Sequence, residues 1–245
     1  MSLAEIRCRL LIEREPHDGR WNMAYDEALL EAAANRGETI LRIYRWSEPT
    51  LSLGWFQKTL PDSLPDTLQR LPCVRRLSGG GAILHHHEWT YSCAIPKQHP
   101  FARRTELLYE EIHAALIETF RSHGIPAAMR GESNAAANGE FLCFLRGDAR
   151  DILLDGYKIV GSAQRRRRGA VLQHGSVVLR GSPLAPDLPG LADLVSDLPQ
   201  DPLFAAEAFS GILGARMFHG KPDEHPLPDD SQLAQARRES YVIHG

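Results

Sequence analysis

Asp155-Gly156-Tyr157-Lys158-Ile159-Val160-Gly161-Ser162-Ala163-Gln164 sets a turn dipeptide ahead of a short apolar run that carries one lysine and ends in small residues. Asp-Gly between two apolar runs is a strong signal for a two-residue hairpin. The run before it is Asp151-Ile152-Leu153-Leu154, so two antiparallel strands are expected here. An ammonium group taken out of water must find a partner or give up its charge. Lys158 therefore either points outward from an edge strand, as most lysines do, or serves a ligand. The strand taken alone favours the outward lysine.

Outward from this hairpin, strands again adjoin strands. Residues 6–13 alternate in the manner of a strand, residues 40–44 and 50–53 follow around Pro49, and residues 75–96 read as two strands about a polar turn near His87. Residues 171–179 supply one more. Asn22 is expected to cap a helix that reaches Asn35 and stops at Gly37. In residues 105–123 Leu108, Ile112, Leu116 and Phe120 recur every four positions, and Gly124 and Pro126 end the helix. Asp201-Pro202 is expected to open another, proline suiting the first helical position, and a polar helix is expected over residues 232–239. Hairpins rather than regular strand–helix alternation point to an α+β fold.

Composition narrows the class. The 245 residues carry a formal net charge of −3 and are 43% apolar, which suits a globular domain with a substantial core and argues against nucleic acid as the main partner. No apolar run is long enough to span a bilayer, and the Arg- and Glu-interrupted start is unlike a signal peptide. Cys8, Cys73, Cys93 and Cys143 have neither CxxC nor metal-type spacing. They read as reduced thiols of a cytoplasmic protein.

Three other stretches invite chemistry. Gly79-Gly80-Gly81 lies between Arg75-Arg76-Leu77-Ser78 and Ala82-Ile83-Leu84. Consecutive glycines let the backbone approach a ligand and adopt positive φ, but the spacing is neither that of a phosphate loop nor that of a dinucleotide fingerprint. In His85-His86-His87-Glu88, alternation would set His85 and His87 on one strand face, without the four ligands structural zinc takes. Arg165-Arg166-Arg167-Arg168 is either a solvated turn or a patch that steers an acidic partner.

Four segments, in order, resemble the catalytic domain shared by lipoate–protein ligases, octanoyltransferases and biotin–protein ligases: Asn22-Met23-Ala24-Tyr25-Asp26-Glu27-Ala28; Tyr44-Arg45-Trp46 with Pro49-Thr50-Leu51-Ser52-Leu53-Gly54; the block from Arg75 to Ser92; and Lys158-Ile159-Val160-Gly161-Ser162-Ala163-Gln164 with Gln173-His174-Gly175-Ser176. The resemblance covers residues 6–180. It implies a single α+β domain over residues 1–245, with a mixed, mostly antiparallel sheet and residues 181–245 as a helical C-terminal extension. It also implies a tunnel for an eight-carbon acyl chain, walled by the Arg75–Leu84 loop and the lysine strand. Arg75, Arg76, Ser78, Gly79, Gly80, Gly81, His85, Gly161, Ser162, Ala163 and His174 would line or support the acyl group. Lys158 would contact its carbonyl or activated carboxyl end, a place where a fixed cation stabilises developing negative charge. As a tunnel-facing residue it would support little packing, so its loss would leave the melting temperature nearly unchanged.

The family divides by how the acyl group is activated. Ligases form an acyl-adenylate from ATP and Mg; octanoyltransferases take octanoate from acyl carrier protein and hold it on a cysteine. Cys143-Phe144 stands where the ligase-like transferases carry that cysteine, after the loop of residues 131–140. Against this, Gly81 stands where such transferases often have arginine, and residues 145–150 lack their Pro-Ser. In the His85–Glu88 turn, which the resemblance sets near the acyl pocket, His86 departs from the family's usual acid. The chain leaves little room for the accessory domain of many lipoate ligases. The balance favours transferase over ATP-dependent ligase, with a non-catalytic acyl-binding module as the remote alternative. The resemblance implies, as protein partners, acyl carrier protein and lipoyl-domain acceptors (glycine cleavage H protein, 2-oxoacid dehydrogenase E2 subunits), with no metal, nucleic acid or membrane in the transferase reading.

Overall fold

The computed structural model describes residues 7–131, 141–218, 223–224, 234–235 and 237–241. The strands are, in chain order, β1 (Cys8–Ile12), β2 (Thr39–Tyr44), β3 (Thr50–Leu53), β4 (Cys73–Arg75), β5 (Ile83–His85), β6 (Glu88–Ile95), β7 (Ala128–Met129), β8 (Ile152–Leu154), β9 (Tyr157–Arg167), β10 (Ala170–Val178) and β11 (Asp223–Glu224). The helices are α1 (Gly19–Arg36), α2 (Asp66–Gln69), α3 (Thr105–Ser122), α4 (Leu191–Leu194) and α5 (Ala206–Met217).

Eight strands form one sheet in the order β11-β1-β2-β6-β10-β9-β8-β7, and a smaller sheet runs β4-β3-β5. In the large sheet β1 lies parallel to β2 and β11, while the other pairings are antiparallel. Alternation along β2 and β6 sends Leu41, Ile43, Tyr91, Cys93 and Ile95 to the side covered by α3 and α5, where they meet Leu108, Ile112, Leu116, Phe209 and Leu213. Ile40 and Ala94 turn to the other side and pack with Met23, Leu29 and Leu30 of α1. β2 and β6 are buried throughout, because both sheet faces are covered. The result is the mixed, mostly antiparallel α+β domain expected.

Several boundaries differ from the sequence reading. α1 starts before Asn22: Asp18 is the cap, accepting from the Trp21 amide at 2.9 Å, and Gly37 closes the helix at φ 73°. Asn22 is instead buried in the first turn, where it donates to the carbonyls of His17 and Arg45 and accepts from Arg42. Asp201 does cap a turn, taking the Leu203 amide at 2.9 Å, but left-handed Ala205 (φ 66°) separates that turn from α5. The strands flanking His87 are not hairpin partners, since β5 joins the small sheet and β6 the large one. The C-terminal extension is not purely helical, because β11 adds an edge strand beside β1. The polar helix of residues 232–239 lies partly outside the described residues, and the described part ends in a 3₁₀ turn, Arg238–Tyr241.

Asp155 and Gly156 both have positive φ (50° and 84°), which is the two-residue turn their identities demand. Yet β9 is an interior strand of the large sheet. Tyr157–Val160 lie beside β8, and from Val160 onward β9 pairs with β10. The outward-facing lysine is therefore wrong, and Lys158 is 8% exposed.

Candidate active site

Between α1, the glycine loop and the middle of β9 lies a cavity of about 300 Å³, lined by Met23, Tyr44, Trp46, Arg76, Gly79, Gly80, Ile83, His85, Thr90, Tyr109, Cys143, Phe144, Gly161, Ser162, Ala163, Gln164, His174, Gly175 and Ser176. Apolar and aromatic walls with few polar groups suit a small acyl group. Cys143 comes to this wall because residues 141–143 run beside the end of the glycine loop. The Ala82 amide donates to Phe141 O at 3.0 Å and the Cys143 amide donates to Ala82 O at 2.6 Å.

Lys158 is brought to the same point by a glycine. A Cβ on Gly161 would stand 2.6 Å from Lys158 Cε, so the lysine can fold back across the strand only over a residue without a side chain. Its Nζ donates to Asp151 Oδ1 at 2.8 Å and to Cys143 O at 3.3 Å, lies 3.8 Å from Cys143 Sγ and sits 5.0 Å from the centre of the Phe144 ring. Asp151 was quoted in the sequence only as the start of a strand; it is the buried counter-ion. Its other oxygen accepts the Asp148 amide at 2.8 Å.

Arg76 is 2% exposed and clamps the glycine loop, donating to the carbonyls of Ser52, Gly79 and Gly81 at 2.6–2.8 Å. Gly80 holds φ at 95°, and a Cβ there would lie 3.0 Å from the Arg76 guanidinium. Ser78 sits just behind the cavity with its hydroxyl on His174 Nε2, while His174 Nδ1 faces Asp26 Oδ2 at 3.1 Å. An ionised Asp26 only accepts, so the imidazole Nδ1 donates to it. Burial alone would push the Asp26 carboxyl up; hydrogen bonds from His174 and Ser92 and the charge of Arg42 outweigh it and hold it below the usual range. Arg42, fully buried between the Tyr25 and Tyr44 rings, also pairs with Glu13 at 2.7 Å.

A second polar chain lies beneath Ser162. Tyr91 Oη and His113 Nε2 each stand 2.6 Å from the Ser162 hydroxyl, and His113 Nδ1 donates to Arg150 O. Burial pushes His113 down to about 4, and does the same to His99. Unfolded histidine titrates near 6.5, so between roughly pH 6.5 and 4 the unfolded chain binds more protons. Stability is thus intact above about pH 6.5 and falls as pH drops, by up to roughly 1.4 kcal/mol per unit for each group. Thermal melts from pH 7 to 4.5 should show this decline, and His113→Gln should flatten it. An unchanged slope in that variant would contradict a neutral buried His113.

Of the residues expected at the acyl group, Arg76, Gly79, Gly80, His85, Cys143, Gly161, Ser162, Ala163 and His174 line the cavity. Lys158 reaches Cys143 from beside it. Three others do not line it: Ser78 lies behind it on His174, and Arg75 and Gly81 are turned elsewhere. Arg75 turns away and donates to the carbonyls of Gln57 and Lys58. At Gly81 a Cβ would meet the Arg146 guanidinium and Phe141 O at 3.0 Å, so Arg146 already fills that space. His85 and His87 do not share a face: His85 is buried between Ser52 (2.7 Å) and Glu88 (2.8 Å) and stacks on Trp46, while His87, at φ 48°, stacks on His86. The arginine run is neither one patch nor a free turn. Arg166 donates to Ala102 O, Arg167 pairs with Glu27 and Glu31, Arg168 donates to Asn35, and Arg165 stacks on Trp55. Trp46, Ile83 and Phe144 stand within the quoted motifs but carry no sign there of facing the cavity, and Tyr109 gives no signal beyond being an aromatic on α3.

Residues 18–188 match the lipoyl protein ligase A/B catalytic domain. The chain is 36% identical over 173 residues to an octanoyltransferase LipM of Oceanobacillus iheyensis, covering 69% of this chain and 63% of that one. To an octanoyltransferase LipM of Carboxydothermus hydrogenoformans it is 39% identical over 166 residues, covering 66% and 61%. It thus spans under two thirds of the length of these curated relatives. A lipoate-protein ligase A solved with bound ATP superposes with a TM-score of 0.73 at 22% identity, over 96% of this chain and 95% of that one. A bi-partite lipoate protein ligase from Thermoplasma acidophilum gives 0.69 at 19%, over 96% and 93%. With the fold, the cavity and the match over residues 18–188 in agreement, the chain belongs to the lipoyl protein ligase A/B catalytic domain family.

Proposed function

We propose that this chain transfers an octanoyl group from a carrier-protein thioester to a lysine of lipoyl-domain proteins, through an acyl-enzyme on Cys143. The observation that carries the reading is the Cys143 thiol on the wall of an apolar cavity, 3.8 Å from the ammonium of Lys158. The Cys143 sulfur attacks the thioester carbonyl carbon, a new C–S bond forms, and the donor's C–S bond breaks as its thiol leaves with a proton. Thioester exchange is nearly isoenergetic, so ATP is not needed. The acceptor's neutral amine then attacks the acyl-cysteine; a C–N bond forms, the C–S bond breaks and the thiol is restored. Lys158, held by Asp151, stabilises negative charge on the acyl oxygen in both steps.

The relatives named octanoyltransferase support this reading over the ligase. Gly81 lacks the arginine often found in such transferases, but the Arg146 guanidinium stands within 3.0 Å of where its side chain would begin. The acceptors that fit are the glycine cleavage H protein and 2-oxoacid dehydrogenase E2 lipoyl domains, with octanoyl-acyl carrier protein as donor. The test supplies an apo-lipoyl domain with labelled octanoyl-acyl carrier protein, or with labelled octanoate plus ATP and Mg. Transfer from the thioester without ATP is expected. Transfer only from free octanoate with ATP would make the protein a ligase.

A further inference from the structure

The loop of residues 54–58 presents two aromatic side chains to solvent beside the cavity. Phe56 is 83% exposed and Trp55 42%. The loop is held rather than slack. The Trp55 amide donates to Ser78 O at 2.8 Å, the Gly54 amide to Gln57 Oε1 at 2.9 Å, and Arg75 donates to the carbonyls of Gln57 and Lys58. It abuts the glycine loop, since the Phe56 ring stands 3.8 Å from where a Cβ on Gly79 would be, and Gly79 lines the cavity. A phenylalanine kept out of the core forgoes the stabilisation of burial, and rigidly presented Trp, Phe and Arg are the residue types that anchor interfaces.

Charge says what kind of partner fits. The Arg165 guanidinium lies 4.9 Å from the Trp55 ring centre. Its neighbours in the arginine run are spent on Ala102, on Glu27 and Glu31, and on Asn35. Among the described residues Lys58, Arg75 and Arg165 form no ion pair. The aromatic pair is therefore flanked by cations that lack a carboxylate.

We propose that Trp55, Phe56 and Arg165 form the docking platform for the acidic carrier protein that delivers the acyl thioester, its arm passing the loop to reach Cys143. This rests on the acyl-enzyme reading above. The platform acts on the carrier and not on the acyl chain, so its effect depends on what bears the thioester.

The experiment measures acylation of Cys143 by octanoyl-acyl carrier protein and by octanoyl-N-acetylcysteamine, for the parent, Phe56→Ala, Trp55→Ala and Arg165→Gln. For the carrier-borne donor, the two aromatic variants should raise KM at least about tenfold, and Arg165→Gln should weaken the salt dependence of association. The small thioester should acylate all four proteins equally. Preloaded acyl-enzyme should pass octanoate to the lipoyl domain at the parental rate. Equal losses with both donors would overturn the proposal, because the loop would then act on the cavity itself. So would an unchanged KM for the carrier, or a loss confined to transfer onto the lipoyl domain. A parent protein acylated by neither thioester would remove the acyl-enzyme reading and this proposal with it.

Discussion

Cys143→Ala is expected to lower octanoyl transfer from a thioester by roughly 10³-fold or more, because no other group takes over a lost nucleophile. The other thiols cannot substitute. Cys93 is fully buried, and desolvation pushes it up to about 12; Cys73 is pushed up to about 11 for the same reason. Neither they nor the buried Cys8 lines the cavity. The fold should survive, since Cys143 is only half-buried in a short 3₁₀ turn. Cys143→Ser should accept octanoate slowly as an oxygen ester. Parental transfer by the alanine variant supplied with octanoate and ATP would mean that the cysteine is only a wall residue.

Lys158→Ala should cost activity by about two to three orders of magnitude, the scale of losing one preorganised partner for a developing oxyanion. It should also cost stability, contrary to the expectation for a tunnel-facing lysine. Lys158 and Asp151 are 2.8 Å apart with side chains about 95% buried, and losing the lysine leaves the Asp151 charge only the longer contact with Arg130 at 3.6 Å. The loss should be about 3 kcal/mol, or roughly 6–12 °C in melting temperature for a chain of this size. The double variant Lys158→Met, Asp151→Asn should regain only part of that stability, because Arg130 then loses the carboxylate it faces at 3.6 Å. Its activity should stay low. Recovery of both together would make the pair purely structural.

The hairpin at Asp155-Gly156, the four-residue repeat of α3 and the alternation of residues 6–13 are legible because each is a local pattern with one physical solution. The order of motifs located the glycine loop, Cys143 and the lysine strand. What sequence could not show is how separate segments meet. Asp151 looked like a strand residue until the chain fold brought it against Lys158. Arg42 breaks an apolar run because it is buried between two tyrosines with Glu13 and Asp26, a set of partners drawn from three elements. The arginine run looked like one feature, yet strand alternation sends its members to different neighbours. Asn22 is by type a good capping residue, but Asp18 reaches the free amides first.

The most direct test of the acyl-enzyme is the intact mass of the protein after incubation with octanoyl-acyl carrier protein, without ATP, beside Cys143→Ala. A stable gain of one octanoyl group in the parent, absent from the variant and removed by adding an apo-lipoyl domain, is the expected result. No gain in the parent, or the same gain in the variant, would contradict the assignment of Cys143 as the acyl carrier.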